Sequence, residues 1–251
     1  MRLGRPQLEG PKAMIAVVSS TVAPSTLPGH TGPRTNLAPE VRLEQTRATV
    51  DSLIAAGARE IVIADNSPGT WFSERAGIMS PARVVHLQQP AIRNKGIGEL
   101  WLMQSILASL PEDEPILKIS GRYCIGKGPT LSIAGDEDLV GKIYREGRSH
   151  SLSTRAYLLR NRAVAARFWN RSLDEIYAQS SRVVGLRSFM RIMRNSIRPR
   201  ADDLSYSDPN TISLEMASYN AIRHLGLRLR AVENLGLEGR LGSYTNHEVR
   251  E

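Results

Sequence analysis

Four short apolar runs set the pattern of the first half of the chain: residues 15–18 (IAVV), 61–64 (IVIA), 84–87 (VVHL) and 116–119 (ILKI). Each is rich in β-branched residues, continuous rather than alternating, and bounded by charged or turn residues. That pattern predicts strands covered on both faces. Between them the period changes to that of a helix. Residues 40–56 carry Leu43, Val50, Leu53 and Ile54 along one face, with Gly57 as the stop signal. Residues 98–110 carry Leu100, Trp101, Met103, Ile106, Leu107 and Leu110, and Pro111 ends the stretch. Strand–helix–strand alternation of this kind predicts an α/β fold with a largely parallel sheet.

The second half is less regular. Residues 139–144 and 154–159 read as strands, and 162–179 as a helix built on Val164, Phe168, Leu173 and Ile176. Residues 182–200 hold six arginines and no acid, interleaved with Leu186, Phe189, Met190, Ile192, Met193 and Ile197. Residues 200–210 form a polar loop, and 213–224 read as a helix. Leu227, Leu229 and Ala231 alternate with Arg228 and Arg230, the signature of a half-buried strand. Residues 1–13 are polar, with Gly and Pro, and are expected to be a disordered extension. No internal repeat or low-complexity tract is present.

Composition narrows the picture. Apolar residues make up 41% and charged residues 23%, which excludes wholesale disorder. The single cysteine, Cys124, excludes an intramolecular disulfide framework and a cysteine-based zinc site. The five histidines are scattered without ligand spacing. No window approaches 18 uninterrupted apolar residues, so no membrane span is expected. The first residues lack the apolar stretch of a secretory signal, so a cytoplasmic location is expected. A net charge of +8 and an isoelectric point near 10.0 point to anionic partners. Arginine supplies most of that charge and is spread along the chain with no nucleic-acid motif, so a basic nucleic-acid-binding α/β module ranks as an outside alternative.

In an open α/β sheet, ligands bind beyond the carboxyl ends of the strands. Four polar clusters stand there. Ser19-Ser20-Thr21 follows the first run and Asp65-Asn66-Ser67-Pro68 the second. The stretch from Gln88 to Gly98, with Arg93, Asn94 and Lys95, follows the third, and Ser120-Gly121-Arg122-Tyr123 the fourth. Taken singly each has a plainer explanation. Asp, Asn, Ser and Pro are turn residues, and Gly96 with Gly98 lacks the third glycine of a dinucleotide fingerprint. Trp71, in the loop after the second run, is the best-placed aromatic for stacking on a base or sugar.

The succession IVIADNSPG, VVHLQQPAIRNKGIGELWLMQSIL and ILKISGRY resembles the nucleotide-binding half of a GT-A-type glycosyltransferase. The segments NKGIGE and KISGRY are similar to those of bacterial transferases that build capsule, lipopolysaccharide or other surface glycans. The likeness spans residues 14–125, with weaker echoes at SLEMASYNAI and ENLGLEGRLGSY. It implies a GT-A-like Rossmann-type sandwich, with a mostly parallel central sheet flanked by helices. Residues 14–251 would form a single domain, with 14–125 holding the nucleotide sugar and 126–251 shaping the acceptor side.

The resemblance also implies roles. Ser19, Ser20 and Thr21 would line the base and ribose, and Asp65 with Asn66 would accept hydrogen bonds from them. Arg93 and Lys95 would offset diphosphate charge, and Gly96 would let backbone approach the ligand. Glu215, opening the last helix, would be the general base that takes the proton of an acceptor hydroxyl. Asp202, Asp203 and Asp208 compete for that role.

The departure from the family comes after the fourth run. Most GT-A enzymes carry Asp-x-Asp there for a divalent metal, manganese or magnesium, whereas this chain has Ser120-Gly121-Arg122. Arginine cannot ligate a cation but can neutralise phosphate oxygens directly. Arg122, Lys118, Ser120 and Gly121 are therefore the expected diphosphate contacts of an enzyme without an Asp-x-Asp metal. Asp136-Glu137-Asp138, the acidic run that follows in the sequence, is expected to be a solvated turn or, if it folds back, a metal site.

The expected reaction is transfer of a sugar from a nucleotide-diphosphate sugar to a glycan or lipid-linked acceptor in surface-polysaccharide synthesis. Residues 182–200 would make peripheral contact with the inner face of a membrane. A sugar nucleotidyltransferase is the alternative. It predicts a glycine-rich basic loop straight after the first strand, where Gly29, Gly32 and Arg34 lie further along than expected.

Overall fold

A computed structural model describes residues 14–23, 37–89, 94–126, 132–147, 149–181, 185–186, 189–190, 193, 212–240 and 248–250. The predicted extension at residues 1–13 lies outside them, as do Arg93, Asp202, Asp203, Asp208 and most of 182–200.

The four apolar runs form β1 (Ile15–Ser20), β2 (Glu60–Asp65), β3 (Arg83–His86) and β4 (Ile116–Ser120). They pair in parallel in the order β3-β2-β1-β4. The reason for their unbroken hydrophobicity is visible. Ile15 and Val17 point to one face and Ala16 and Val18 to the other, and all four are fully buried. On the first face lie α2 (Lys95–Ile106), α3 (Arg162–Ser181) and α4 (Leu214–Leu225). On the second lie α1 (Pro39–Ala55) and a small second sheet.

The main sheet continues past β4 with β7 (Ser149–Leu159), β6 (Leu139–Glu146) and β8 (Leu229–Ala231). β7 runs antiparallel to both β4 and β6, while β8 is parallel to β6. The result is a seven-stranded, mostly parallel sheet flanked by helices, an α/β sandwich of Rossmann type. Strands from residues 14–125 and from 139–231 share it.

Three differences from the sequence expectations have local causes. α2 begins at Lys95 rather than residue 98, because Asn94 caps it: Asn94 Oδ1 accepts from the backbone N–H of Gly96 at 2.9 Å and of Ile97 at 3.3 Å. β7 begins at Ser149, five residues earlier than the predicted 154, because its first part pairs with the end of β6 beyond a register shift between Gly141 and Ile143. The second sheet was not foreseen. It joins β5 (Tyr123–Ile125), β9 (Leu237–Arg240) and β10 (Glu248–Arg250), each too short and mixed in polarity to show a period.

β5 is fixed to α1, where Ser52 Oγ accepts from Ile125 N–H at 3.0 Å. At Gly239 a side chain would lie 2.5 Å from the Arg122 carbonyl, so β9 can press against the β4–β5 turn only with glycine there.

Candidate active site

All four parallel strands end at one edge of the sheet, and the N-termini of α1, α2 and α4 come to that edge. The sequence-predicted residues that the structure describes lie there in two groups, one on each face of the sheet.

On the α2–α4 face a polar chain runs from β1 to α4. Ser19 Oγ donates to Glu99 Oε1 at 3.4 Å. Glu99, in the first turns of α2, forms an ion pair with Lys118 of β4. The Lys118 ammonium also donates to the Thr154 carbonyl on β7. The Thr154 hydroxyl donates to Glu215 Oε1, in the first turn of α4, at 3.1 Å.

Lys118 has no exposed surface. A buried ammonium is tolerable only when paired and hydrogen-bonded, and here one carboxylate and one carbonyl do this. Lys118 is therefore held inside the protein rather than presented to a ligand, and it organises the two elements that carry Glu99 and Thr154. Tyr157 lies beside it, with Lys118 Nζ 5.6 Å from the ring centroid. Burial, and then the Glu99 charge, push the Tyr157 phenol well above its ordinary range, while its oxygen accepts from the Trp169 indole N–H at 2.9 Å.

The N-termini of α2 and α4 touch. A Cβ at Gly96 would lie 2.8 Å from the Leu214 Cβ, so Gly96 is what allows this approach. Ser213 caps α4, accepting from Met216 N–H at 3.3 Å. Two positive helix ends thus meet beside Glu215, with Lys95 exposed on the first turn of α2.

On the α1 face, Asp65 is fully buried. Its Oδ2 accepts from Val22 N–H at 3.2 Å and the Ser67 hydroxyl at 3.1 Å, and its Oδ1 from Ser67 N–H at 2.8 Å. His86 Nδ1 stands 3.4 Å from Oδ1. Asp65 therefore ties the loops after β1 and β2 together, with its oxygens engaged by the protein's own donors instead of facing outward. Asn66 extends the tie. It accepts from the Thr21 hydroxyl at 2.5 Å, and its amide pairs with that of Gln89 at 2.9 Å.

Ser120-Gly121-Arg122 forms the turn from β4 into β5. Gly121 N–H donates to the Ser19 carbonyl at 2.9 Å, and the Gly121 carbonyl accepts from Thr46 Oγ1 at 3.2 Å. A side chain at Gly121 would come within 3.1 Å of that hydroxyl. Ser20 Oγ lies 3.5 Å from the same atom. Arg42, one turn before Thr46 on α1, lies in the field of both Arg122 and Asp65.

Two expectations are corrected. The run Asp136-Glu137-Asp138 stays partly solvated, with Asp136 largely exposed, and its three carboxylates pair with arginines rather than gathering around a cation. Asp136 and Asp138 pair with Arg228 at 2.6 and 3.3 Å, and Glu137 pairs with Arg230 at 3.1 Å, clasping β8 against β6. Trp71 does not have both ring faces open. The Arg75 guanidinium covers its ring at 4.4 Å.

Glu99, Thr154 and Arg42 carry the site's polar structure and were not singled out in the sequence. Glu99 did leave a signal, as the one acid in the apolar stretch IGELWLM. Arg42 left none, on a helix where more than half the positions are polar.

The chain matches no protein-family profile and no characterised protein sequence. Solved structures do match. An inositol-1-phosphate CTP transferase from T. maritima shares 10% identity over 88% of this chain and 86% of that one, with a TM-score of 0.51. A nucleoside-diphosphate-sugar pyrophosphorylase from Vibrio cholerae RC9 shares 11% identity over 87% and 91%, at 0.46. The glycosyltransferase GlyE of Streptococcus pneumoniae TIGR4 shares 11% identity over 88% of this chain at 0.42, and the chain spans 45% of its length. The likeness to the first is one of fold.

Proposed function

We propose that this chain is a nucleotide-sugar glycosyltransferase of GT-A type, acting on a glycan or lipid-linked acceptor. The observation that carries the reading is the chain Ser19–Glu99–Lys118–Thr154–Glu215. It fixes a carboxylate beside two helix N-termini, at the strand ends where this fold binds ligands.

In the proposed reaction Glu215 accepts the proton of an acceptor hydroxyl as the oxygen attacks the anomeric carbon. The bond from that carbon to the diphosphate oxygen breaks, and the nucleoside diphosphate departs with the electron pair. The helix ends and the arginines at the β4 turn favour the negative charge that develops on the leaving group. Ser19, Ser20, Thr21 and Asn66 stand where the base and ribose would lie, and Asp65 holds the loops that present them.

The acceptor class draws support from a different region. Leu186, Phe189, Met190 and Met193 are all exposed, within a stretch whose sequence holds six arginines and no acid. Apolar side chains among cations suit an anionic lipid surface. No helix among the described residues is long and apolar enough to cross a membrane, so contact would be peripheral, at the cytoplasmic face. Synthesis of capsule or lipopolysaccharide would fit such an enzyme.

A sugar nucleotidyltransferase is the second reading, favoured by the TM-score of 0.51 to a CTP transferase. The two differ in the bond broken. Incubation with a panel of UDP-, GDP-, dTDP- and CMP-sugars should release nucleoside phosphate if a glycosyl bond is cleaved. Incubation with nucleoside triphosphates and sugar phosphates should release pyrophosphate if a nucleotidyl group is moved. Pyrophosphate release alone would replace the first reading with the second.

A further inference from the structure

At the end of β4, where a GT-A enzyme that uses a metal would gather carboxylates, this chain gathers cations. The turn there is Ser120-Gly121-Arg122. Among the described residues no group of three His, Cys, Asp or Glu side chains is placed to hold a metal ion. The acidic run Asp136-Glu137-Asp138 is spent on Arg228 and Arg230. The donor set at this turn does not fit a divalent cation.

It does fit an anion. Thr46 locks α1 to the turn through the Gly121 carbonyl at 3.2 Å, and the tight packing at Gly121 leaves no slack between them. Arg42 lies one turn nearer the helix N-terminus and Arg122 one residue beyond Gly121, so the same contact brings both residues to the end of β4. Arg42 Nε is buried and has no hydrogen-bond partner among the described residues. Its guanidinium is pushed down to about 10, first by burial and then by the charge of Arg122, with Asp65 acting in the opposite sense. Asp65 is already engaged by Val22 N–H and by the Ser67 N–H and hydroxyl, and Arg42 Nε donates no hydrogen bond to it. Two like charges held together with an unmet donor are costly until an anion joins them. A diphosphate brings charge and several acceptor oxygens at once, and a guanidinium fork matches them.

We propose that Arg42 and Arg122 form a two-guanidinium seat for the diphosphate of the nucleotide sugar, in the position a metal ion holds in Asp-x-Asp enzymes. The proposal rests on the nucleotide-sugar reading for its ligand, but the seat itself is a claim about two residues of this chain and an anion.

The test is titration calorimetry and thermal shift in EDTA, with UDP, GDP, CDP, dTDP, their parent nucleosides and inorganic pyrophosphate. Wild type is compared with Arg42→Gln, Arg122→Gln and Arg42→Lys. Arg83→Gln, at the opposite end of β3, controls for net charge. The wild type is expected to bind one nucleoside diphosphate without metal. Each glutamine variant should weaken that binding at least tenfold and leave the weak binding of the parent nucleoside unchanged. Arg42→Lys should fall between, and Arg83→Gln should match wild type. Ligand-free Arg42→Gln should melt no lower than wild type, since it removes the like-charge contact, which separates lost binding from lost fold. If EDTA abolishes binding and manganese restores it, or if both glutamine variants bind as wild type, the seat is wrong and the nucleotide-sugar reading stands. Arginine-dependent binding of pyrophosphate with no response to any nucleotide would overturn that reading and keep the seat. No binding of any anion overturns both.

Discussion

Thr154 and Glu215 lie 61 residues apart in sequence, and the threonine hydroxyl donates to the carboxylate at 3.1 Å. This contact aims the proposed base from a β-strand as well as from its own helix. Thr154→Val keeps the shape and removes the donor. A hydrogen bond to a charged group contributes about 1.5–3 kcal/mol, so the transfer rate should fall about tenfold or more, with KM little changed. Glu215→Gln should cost about 100-fold or more, in line with loss of a general base. Steady-state kinetics on both variants checks this. An unaltered kcat in Thr154→Val would remove Thr154 from any positioning role.

Lys118 is a charged side chain with no exposed surface, and Glu99 is its counter-ion. Lys118→Met should destabilise the protein by up to about 3 kcal/mol, the low end for breaking a buried pair, because Glu99 keeps some solvent contact. Adding Glu99→Gln should recover part of that loss. Denaturant unfolding of the two single variants and the double variant measures the coupling. Additive losses would mean that the two groups do not sense each other.

The parallel half of the fold was legible because β1, β2 and β4 are buried on both faces and β3, at the sheet's edge, is half-buried, and that burial is written as unbroken apolar runs. The strand-end positions of Ser19, Asp65 and Gly121 were legible for a related reason: once the strands are recognised, the residues at and just beyond their carboxyl ends follow. Partners were not legible. Nothing local joins Glu99 to Lys118 or Thr154 to Glu215, since each pair forms only when separate elements pack. Asp65 shows the converse limit. Its place in the chain marked it as a ligand contact, while its depth gave its hydrogen bonds to Val22 and Ser67.

Gly96 separates helix propensity from packing. In an exposed helix, alanine is favoured over glycine by about 1 kcal/mol. Here a methyl group would sit 2.8 Å from the Leu214 Cβ, a distance at which something must move. Gly96→Ala should therefore lower the melting temperature and reduce kcat, by pushing the start of α4 and Glu215 away from Thr154. Leu214→Gly in the same chain should restore part of both. A rise in melting temperature for Gly96→Ala alone would show that α2 and α4 do not touch in solution.

The β6–β8 edge should respond to acid through Asp138. Burial by itself would raise this carboxyl. Hydrogen bonds from the Arg228 N–H and guanidinium, with the charges of Arg228 and Arg160, outweigh burial and hold it below its ordinary 3.8. For a carboxyl depressed in the folded state, the stabilisation is complete above the unfolded value and disappears as pH falls through the folded one. The unfolded protein binds the proton first, so the loss begins near pH 4 and is finished below the folded value. Asp138→Asn should therefore melt below wild type at pH 7, and the gap should close as the pH falls below about 4. Amide exchange at Leu139, whose N–H donates to the Arg228 carbonyl at 3.2 Å, gives a local readout of the same edge. A gap that stays constant down to pH 2 would mean that Asp138 acts through its shape and hydrogen bonds rather than through its charge.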